Sequence, residues 1–478
     1  MRKQLWITLL LGVLLALLVI LGYWLGTPHL LSVSPAAGAT NVPPGAEVRL
    51  NFSRTMQTAA FASFLTFNPA MPGNYSQQGH TLVFTPAQPW PAGVTVQARL
   101  LAGASASGII ALPLPQGSEW SFTIRQPSIV YLYPATDPAN LYIQNPLSGA
   151  TRALINVTGG VLDFDVSADG SLLYYSLRQD TGSAIYRQSL VAEPGSGATP
   201  GAAQTGSTGP KPELVLDCTE ALCDALALSP KGDYLAYERG MLPGSGQSGN
   251  FQVWVLPLTT GEPAKPFLAG AGDHQTTQPA WSSAGLLAFY DSNDKAYIFT
   301  EPGRGERGRF ANQTGQDGVW HPDGHAFLAP EIVFVDTGSS PSVTGLAPRA
   351  DSHLILYNLD TKTTQDLTPS EGIEDTSPVF SPDGKFLAFA RKYLDAKRWT
   401  PGRQLWIARV DTREARPLTS EPVYNHYQFT WSLSGDQLAY VRFNQTTLTE
   451  PPEIWIMNLL DGTQSRLVVG GYLPRWTP

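Results

Sequence analysis

Few residues in this chain carry side chains suited to binding or reaction, and they are unevenly spread. The run RKYLDAKRWTPGR sets Arg391, Lys392, Lys397, Arg398 and Arg403 beside Tyr393 and Trp399, and VYNHYQ then adds Tyr424, His426 and Tyr427. Cations over aromatic faces suit a protein hot spot or stacking against a sugar ring. The candidate binding residues are therefore Tyr393, Arg398, Trp399, Tyr424, His426 and Tyr427. Catalytic signatures are missing: there is no G-x-S-x-G elbow, H-E-x-x-H pair, Walker A loop or EF-hand loop. The nearest string, Gly246-Gln247-Ser248-Gly249, sits in a GSGQSGN run that reads as a linker. The chemistry pointed to is recognition, not turnover.

Such residues need elements to hold them, and composition says which. With 45 Gly, 40 Pro and 15% charged residues in 478, the chain is no helical bundle, coiled coil or solvated disordered polymer. Many short strands joined by turns are expected, because each reversal needs residues that fix φ or tolerate a positive one. A net charge of -8 argues against a nucleic-acid binder that tracks phosphates.

From Ser128 onward the chain repeats. A strand, a four-residue turn and a second strand recur in DVSADGSLLYYSLR, ALSPKGDYLAYER, AWSSAGLLAFYD, VWHPDGHAFLAP, VFSPDGKFLAFAR and TWSLSGDQLAYVR. Gly170, Gly232, Gly285, Gly324, Gly384 and Gly435 share one turn position, which predicts a positive φ there. Third strands follow in AIYRQSL, FQVWVLPL, AYIFTE, LILYNLD, QLWIARVD and EIWIMNLLDG, with short fourth strands after them. Four strands per repeat predict propeller blades. SIVYLYP, NLYIQNPLSG and TRALINV open the array without a first strand, and YLPRWTP ends the chain as one. Joined, they give a seventh blade; six blades with a frayed tail is the alternative.

The remaining reactive residues take their meaning from this frame. His321 and His325 stand four apart on a turn between strands, a spacing that does not share a face there. His274 and His426 precede first strands and reach toward the channel mouth, but two histidines are too few for a convincing metal site, so neither metal nor cofactor is expected. Asp163 and Asp165 read as channel-lining carboxylates and Asp169 as a turn cap, in preference to calcium ligands. Cys218 and Cys223, the only cysteines, are a candidate disulfide in an exported chain, closing only a small loop. Long loops between second and third strands, Gly240 to Asn250, Asp336 to Asp351, Lys392 to Arg403 and Asn444 to Pro452, share one face with the inter-blade links and mark it as the binding face. Glu193 to Pro212 reads as a disordered loop on the opposite face.

At the amino terminus, Leu5 to Leu25 is an uncharged apolar run long enough to span a bilayer, with Arg2 and Lys3 before it and no Lys or Arg after it until Arg49. An uncleaved anchor over residues 5–26 is expected, with residues 1–4 cytoplasmic and the bulk of the chain outside the membrane. Over residues 30–125, VRLNFS, TLVFTP, VTVQARL and EWSFTI alternate apolar and polar positions between Pro and Gly clusters, the pattern of a small β-sandwich.

The residues SVSPAAGATNVPPGAEVRLNFSRTMQ, LVFTPAQPWPAGVTVQARL and WSFTI resemble the SbsA-type bacterial Ig-like domain. That resemblance implies a spacer or adhesive module without chemistry. The PDG and PKG turns, Ser381-Pro382-Asp383-Gly384 above all, resemble the TolB-type propeller repeat over residues 128–478, with departures at Ser283-Ala284 and Leu433-Ser434. That resemblance implies recognition by a propeller face, on a repeat that also occurs beside peptidases and in some lyases. The expected whole is an all-β protein: a membrane-anchored sandwich followed by a seven-bladed propeller, binding a protein partner or envelope polysaccharide without catalysis. The competing expectation is a carbohydrate-active lyase or hydrolase at the channel mouth, with carboxylates such as Glu374 and Asp375 as acid and base. A sensor read by another membrane protein is a third.

Overall fold

The computed structural model describes residues 26–108, 111–190, 211–242, 250–267, 274–335 and 349–477, with isolated positions 6, 11, 12 and 14. The expected anchor and the Gly-rich run Glu193 to Pro212 lie almost wholly outside these residues. Among the described residues no helix is long and apolar enough to cross a membrane. The chain forms two compact units, Met1–Gln126 and Pro127–Pro478.

The first unit is a sandwich of two four-stranded sheets. Alternation in the sequence becomes alternation in burial: Val48, Leu50 and Phe52 point inward along one strand and Val96, Ala98 and Leu100 along a strand of the facing sheet. Trp90, Phe84 and Phe122 fill the space between, and the Trp90 indole N–H donates to Ala46 O at 2.9 Å, so its polar edge is satisfied inside the core. Leu30–Ser34, Ala39–Val42, Leu65–Asn68 and Gly73–Gln78 are further strands. Their polar and Pro-flanked sequences carry too weak an alternation to announce them.

In the second unit the repeats fold into four-stranded antiparallel groups, such as Val161–Val166, Leu172–Gln179, Gly182–Ser189 and Glu213–Thr219. Neighbouring groups holding Arg349–Asn358 and Ile373–Phe380 touch through one parallel bridge, Ser352 to Glu374. The six turn glycines have φ between 64° and 82°. In each turn the glycine N–H donates to the carbonyl of the anchor residue, Ser167, Ser229, Ser282, His321, Ser381 or Ser432. The last strand, Tyr472–Thr477, pairs antiparallel with Ser128–Tyr133, so the two ends of the unit share one sheet.

Two devices join successive groups. A tryptophan just before the turn donates its indole N–H to the preceding group: Trp281 to Ala227 O, Trp320 to Ala280 O, Trp431 to Val379 O and Trp476 to Thr430 O, at 2.9 to 3.2 Å. The first strands also carry bulges, with Ala225, Gln278, Ser377, Gln428 and Leu473 at positive φ. A bulge takes a backbone N–H out of its ladder, and three such groups are satisfied by the neighbouring blade. Leu226 N–H donates to Asp163 Oδ2, Gln278 N–H to Glu238 Oε1 and Leu473 N–H to Gln428 Oε1, each at 2.7 Å.

Candidate functional site

The loop between Phe386–Tyr393 and Gln404–Arg409 folds on itself. Asp395 accepts the backbone N–H groups of Lys397 and Arg398 and the Arg398 guanidinium at 2.6 Å. Arg398 then lies 3.9 Å over the Tyr393 ring, and Lys392 lies 4.7 Å over the Trp399 ring. Each contact is exposed and worth about 0.5–1 kcal/mol. Trp399 stays 51% exposed, a large aromatic surface presented to solvent beside two cations.

The base of this loop docks backbone to backbone on the linker entering the next group. Gly402 N–H donates to Pro422 O, and His426 N–H donates to Arg403 O at 3.0 Å. Tyr424 is thereby brought beside the loop, with its ring 4.3 Å under Arg442. Arg442 is also 4.1 Å from the Trp455 ring and is ion-paired with Glu421 and Glu453. His426 and then Arg442, against the opposing effect of burial, hold the Glu421 carboxyl down to about 2.

His426 corrects the sequence expectation. Its side chain is fully buried, with Nδ1–H donating to Arg403 O at 2.8 Å and Nε2 3.2 Å from Glu421 Oε2. It is a strut under the loop and offers a ligand nothing. Tyr427, three residues beyond Tyr424, is half-buried and packs edge-on against Phe443, so it too serves packing more than contact. Arg398 and Trp399 remain exposed, with the half-buried Tyr393 under Arg398 and Lys392, unranked from sequence, over Trp399; Tyr424 is half-buried under Arg442, on the linker that the base of the loop docks against.

One cation–aromatic pattern is architectural. Arg239 over Trp254, Arg391 over Trp406 and Arg442 over Trp455 repeat the same pair, an arginine ending a second strand and a tryptophan in the third, at 4.9, 4.8 and 4.1 Å. The signal was present in QVWVLP, QLWIAR and EIWIMN. The distinctive part of the site is accordingly the loop from Lys392 to Trp399.

The carboxylates of the competing catalytic reading are engaged elsewhere. Asp375, fully buried, accepts from Nε–H and Nη2–H of Arg391, each at 2.7 Å, and Glu374 pairs with Arg403. Asp163 and Asp165 accept the backbone N–H groups of Leu226 and Leu228, and Asp169 caps its own turn through Ser167 and Ser171. His321 packs against Phe380, and His325 stays at the turn surface beside Asp360. Cys218 and Cys223 are joined in a disulfide, both sulfurs buried, linking the outer strand of one group to the first strand of the next. Of the other long loops on this face, residues 243–249 and 336–348 lie outside the described residues.

Residues 26–124 match the bacterial Ig-like domain family. No curated protein matches the chain by sequence. Among solved structures it is similar to TolB from Acinetobacter baumannii, 16% identical over 89% of this chain and 86% of that one, with a TM-score of 0.42. It is also similar to the structure of a putative TolB from Agrobacterium tumefaciens, 19% identical over 72% of this chain and 90% of that one, TM-score 0.38. An oligogalacturonate lyase solved with manganese is 16% identical over 72% and 85%, TM-score 0.44. Likeness at these identities concerns fold and leaves activity open.

Proposed function

We propose that the protein is a non-catalytic, extracytoplasmic binding protein: residues 5–26 anchor it, the Ig-like unit acts as a stalk, and the propeller recognises a protein partner or envelope polysaccharide. The four-stranded groups are read as seven blades, the first closed by Tyr472–Thr477. Supporting this reading is one observation above others. Trp399 is held half-exposed with Lys392 over its ring and Arg398 over the nearby Tyr393, on a loop braced by its own Asp395 and by the linker beneath it. A rigid aromatic surface rimmed by cations is the anchor expected of a recognition site. The test is cross-linking of the full-length protein in membranes of its host, followed by identification of what it retains. Replacing Arg398, Trp399 and Tyr424 together should abolish retention of the specific partner, and unchanged retention would sink the site assignment. The catalytic reading loses support because Glu374 and Asp375 are each consumed in an ion pair.

A further inference from the structure

A second group of side chains stands apart from that loop. His274 lies in the linker that enters the group starting at Thr276–Trp281, while Asp291 and Asp294 flank the turn after Leu287–Asp291. Each offers one ligand atom, and these atoms all lie within 4.8 Å of one another. We propose that His274, Asp291 and Asp294 bind one divalent transition metal of the zinc class, clasping the incoming linker to the hairpin turn of its own blade.

The donor chemistry suits such an ion. One imidazole nitrogen and two carboxylates form a mixed set that suits zinc-class ions better than calcium or magnesium, which prefer oxygen alone. The ligands are also held in place. Asp291 is only 2% exposed and is fixed from behind, its Oδ1 accepting the N–H groups of Asn293 and Asp294, while Oδ2 points to His274 Nδ1 at 2.6 Å. Gln275 N–H donates to Asn293 Oδ1, which ties the linker and turn into register next to the ligands. Opening the His–Asp contact to about 3.3–3.6 Å, with the exposed Asp294 carboxylate drawn in to the same spacing, would let the three atoms reach a tetrahedral ion at bond lengths of about 2.0–2.2 Å. The local charge also favours a cation. Arg309 is the guanidinium beside Asp294, but it is shared with Glu306, to which it makes two bonds. Among the described residues Asp291 has no ion pair with a lysine or arginine. A nearly buried carboxylate with only an imidazole facing it has room for a cation's charge.

The metal would supply no turnover here. Binding would join two backbone segments that now meet through hydrogen bonds, on the face that also carries the inter-blade links. The experiment uses the full-length, disulfide-intact protein stripped with chelator, titrated with Zn²⁺ by calorimetry and with Co²⁺ by absorption. One Zn²⁺ per chain should bind, the Co²⁺ form should show d–d bands, and the melting temperature should rise. His274→Ala and Asp294→Ala, both at exposed or half-exposed positions that spare the core, should each weaken binding by about 100-fold or more and remove the d–d bands. His325→Ala should change nothing. No uptake, uptake that survives His274→Ala, or Ca²⁺ binding as tightly as Zn²⁺ would each overturn the proposal.

Discussion

Trp399 and Asp163 show how differently single residues serve this protein. Trp399 presents half its surface to water, and burying such a ring in a partner typically contributes about 2 kcal/mol or more, or ~30-fold in affinity. Asp163 faces inward, where burial pushes its carboxyl up to about 7 despite Arg475 nearby; burial likewise takes Glu238 up to about 7. Both groups hold protons in the folded state that the unfolded chain has released above its ordinary carboxyl range of about 4. Stability should therefore rise as pH falls from above 7 toward 5. Glu421, held down to about 2, acts with the opposite sign and in a lower window. Its stabilisation is present above about 4 and is lost as pH falls through about 2. Asp163→Asn retains an acceptor for Leu226 N–H but cannot ionise. Melting temperatures at pH 6 and pH 8 should lie closer together in that variant than in the parent; an unchanged gap would remove Asp163 from the account.

Among the elements, the loop bearing Trp399 depends on a close backbone approach at Gly402. A Cβ there would run into the Tyr424 carbonyl, a backbone atom that cannot swing aside. Gly402→Ala should lift the loop from the linker, raise amide exchange over residues 394–403 and lower the melting temperature by about 1–2 degrees, the effect of roughly 1 kcal/mol in a unit running from Pro127 to Pro478. Unchanged exchange would show that the loop holds itself without the linker. The turn glycines were legible in the sequence because a positive φ leaves a chemical mark. His426 was not. Its position before a first strand suggested a residue facing out, but alternation in that strand is interrupted at Gln428, where φ is +51°, and the base of the preceding loop covers the ring. Burial imposed by a segment far off in sequence leaves no local pattern to read. Glu374 and Asp375 likewise take their arginines from outside their own strand, Arg391 from the paired neighbouring strand and Arg403 from the end of the loop after it.

For the whole molecule, the repeats and the sandwich were legible because both rest on period-two alternation and turn residues, which the fold converts directly into strands. The polar contacts between blades were less so. The tryptophans stood out as letters, but their role in joining one blade to the preceding one needs the fold. Closure of the propeller makes its own prediction. Deleting Tyr472–Thr477 removes the partner of Ser128–Tyr133 and the indole bond from Trp476 to Thr430 O, leaving a bare strand edge. Such a truncation should expose residues 128–144 to amide exchange and promote self-association, seen in scattering. A monomer with unaltered exchange would mean that the end strand is dispensable.

If the loop bearing Trp399 is a recognition surface, as proposed, affinity should follow Trp399 and ignore an exposed residue elsewhere. Leu460, 81% exposed in a turn at the opposite end of its strands, is the matched control. The deciding measurement is the apparent Kd of the purified protein for isolated envelopes of its host, compared among parent, Trp399→Ala and Leu460→Ser. Trp399→Ala should bind about 30-fold more weakly with an unchanged melting temperature, and Leu460→Ser should keep the parental affinity. Equal affinities for parent and Trp399→Ala, or a loss confined to Leu460→Ser, would contradict the proposal.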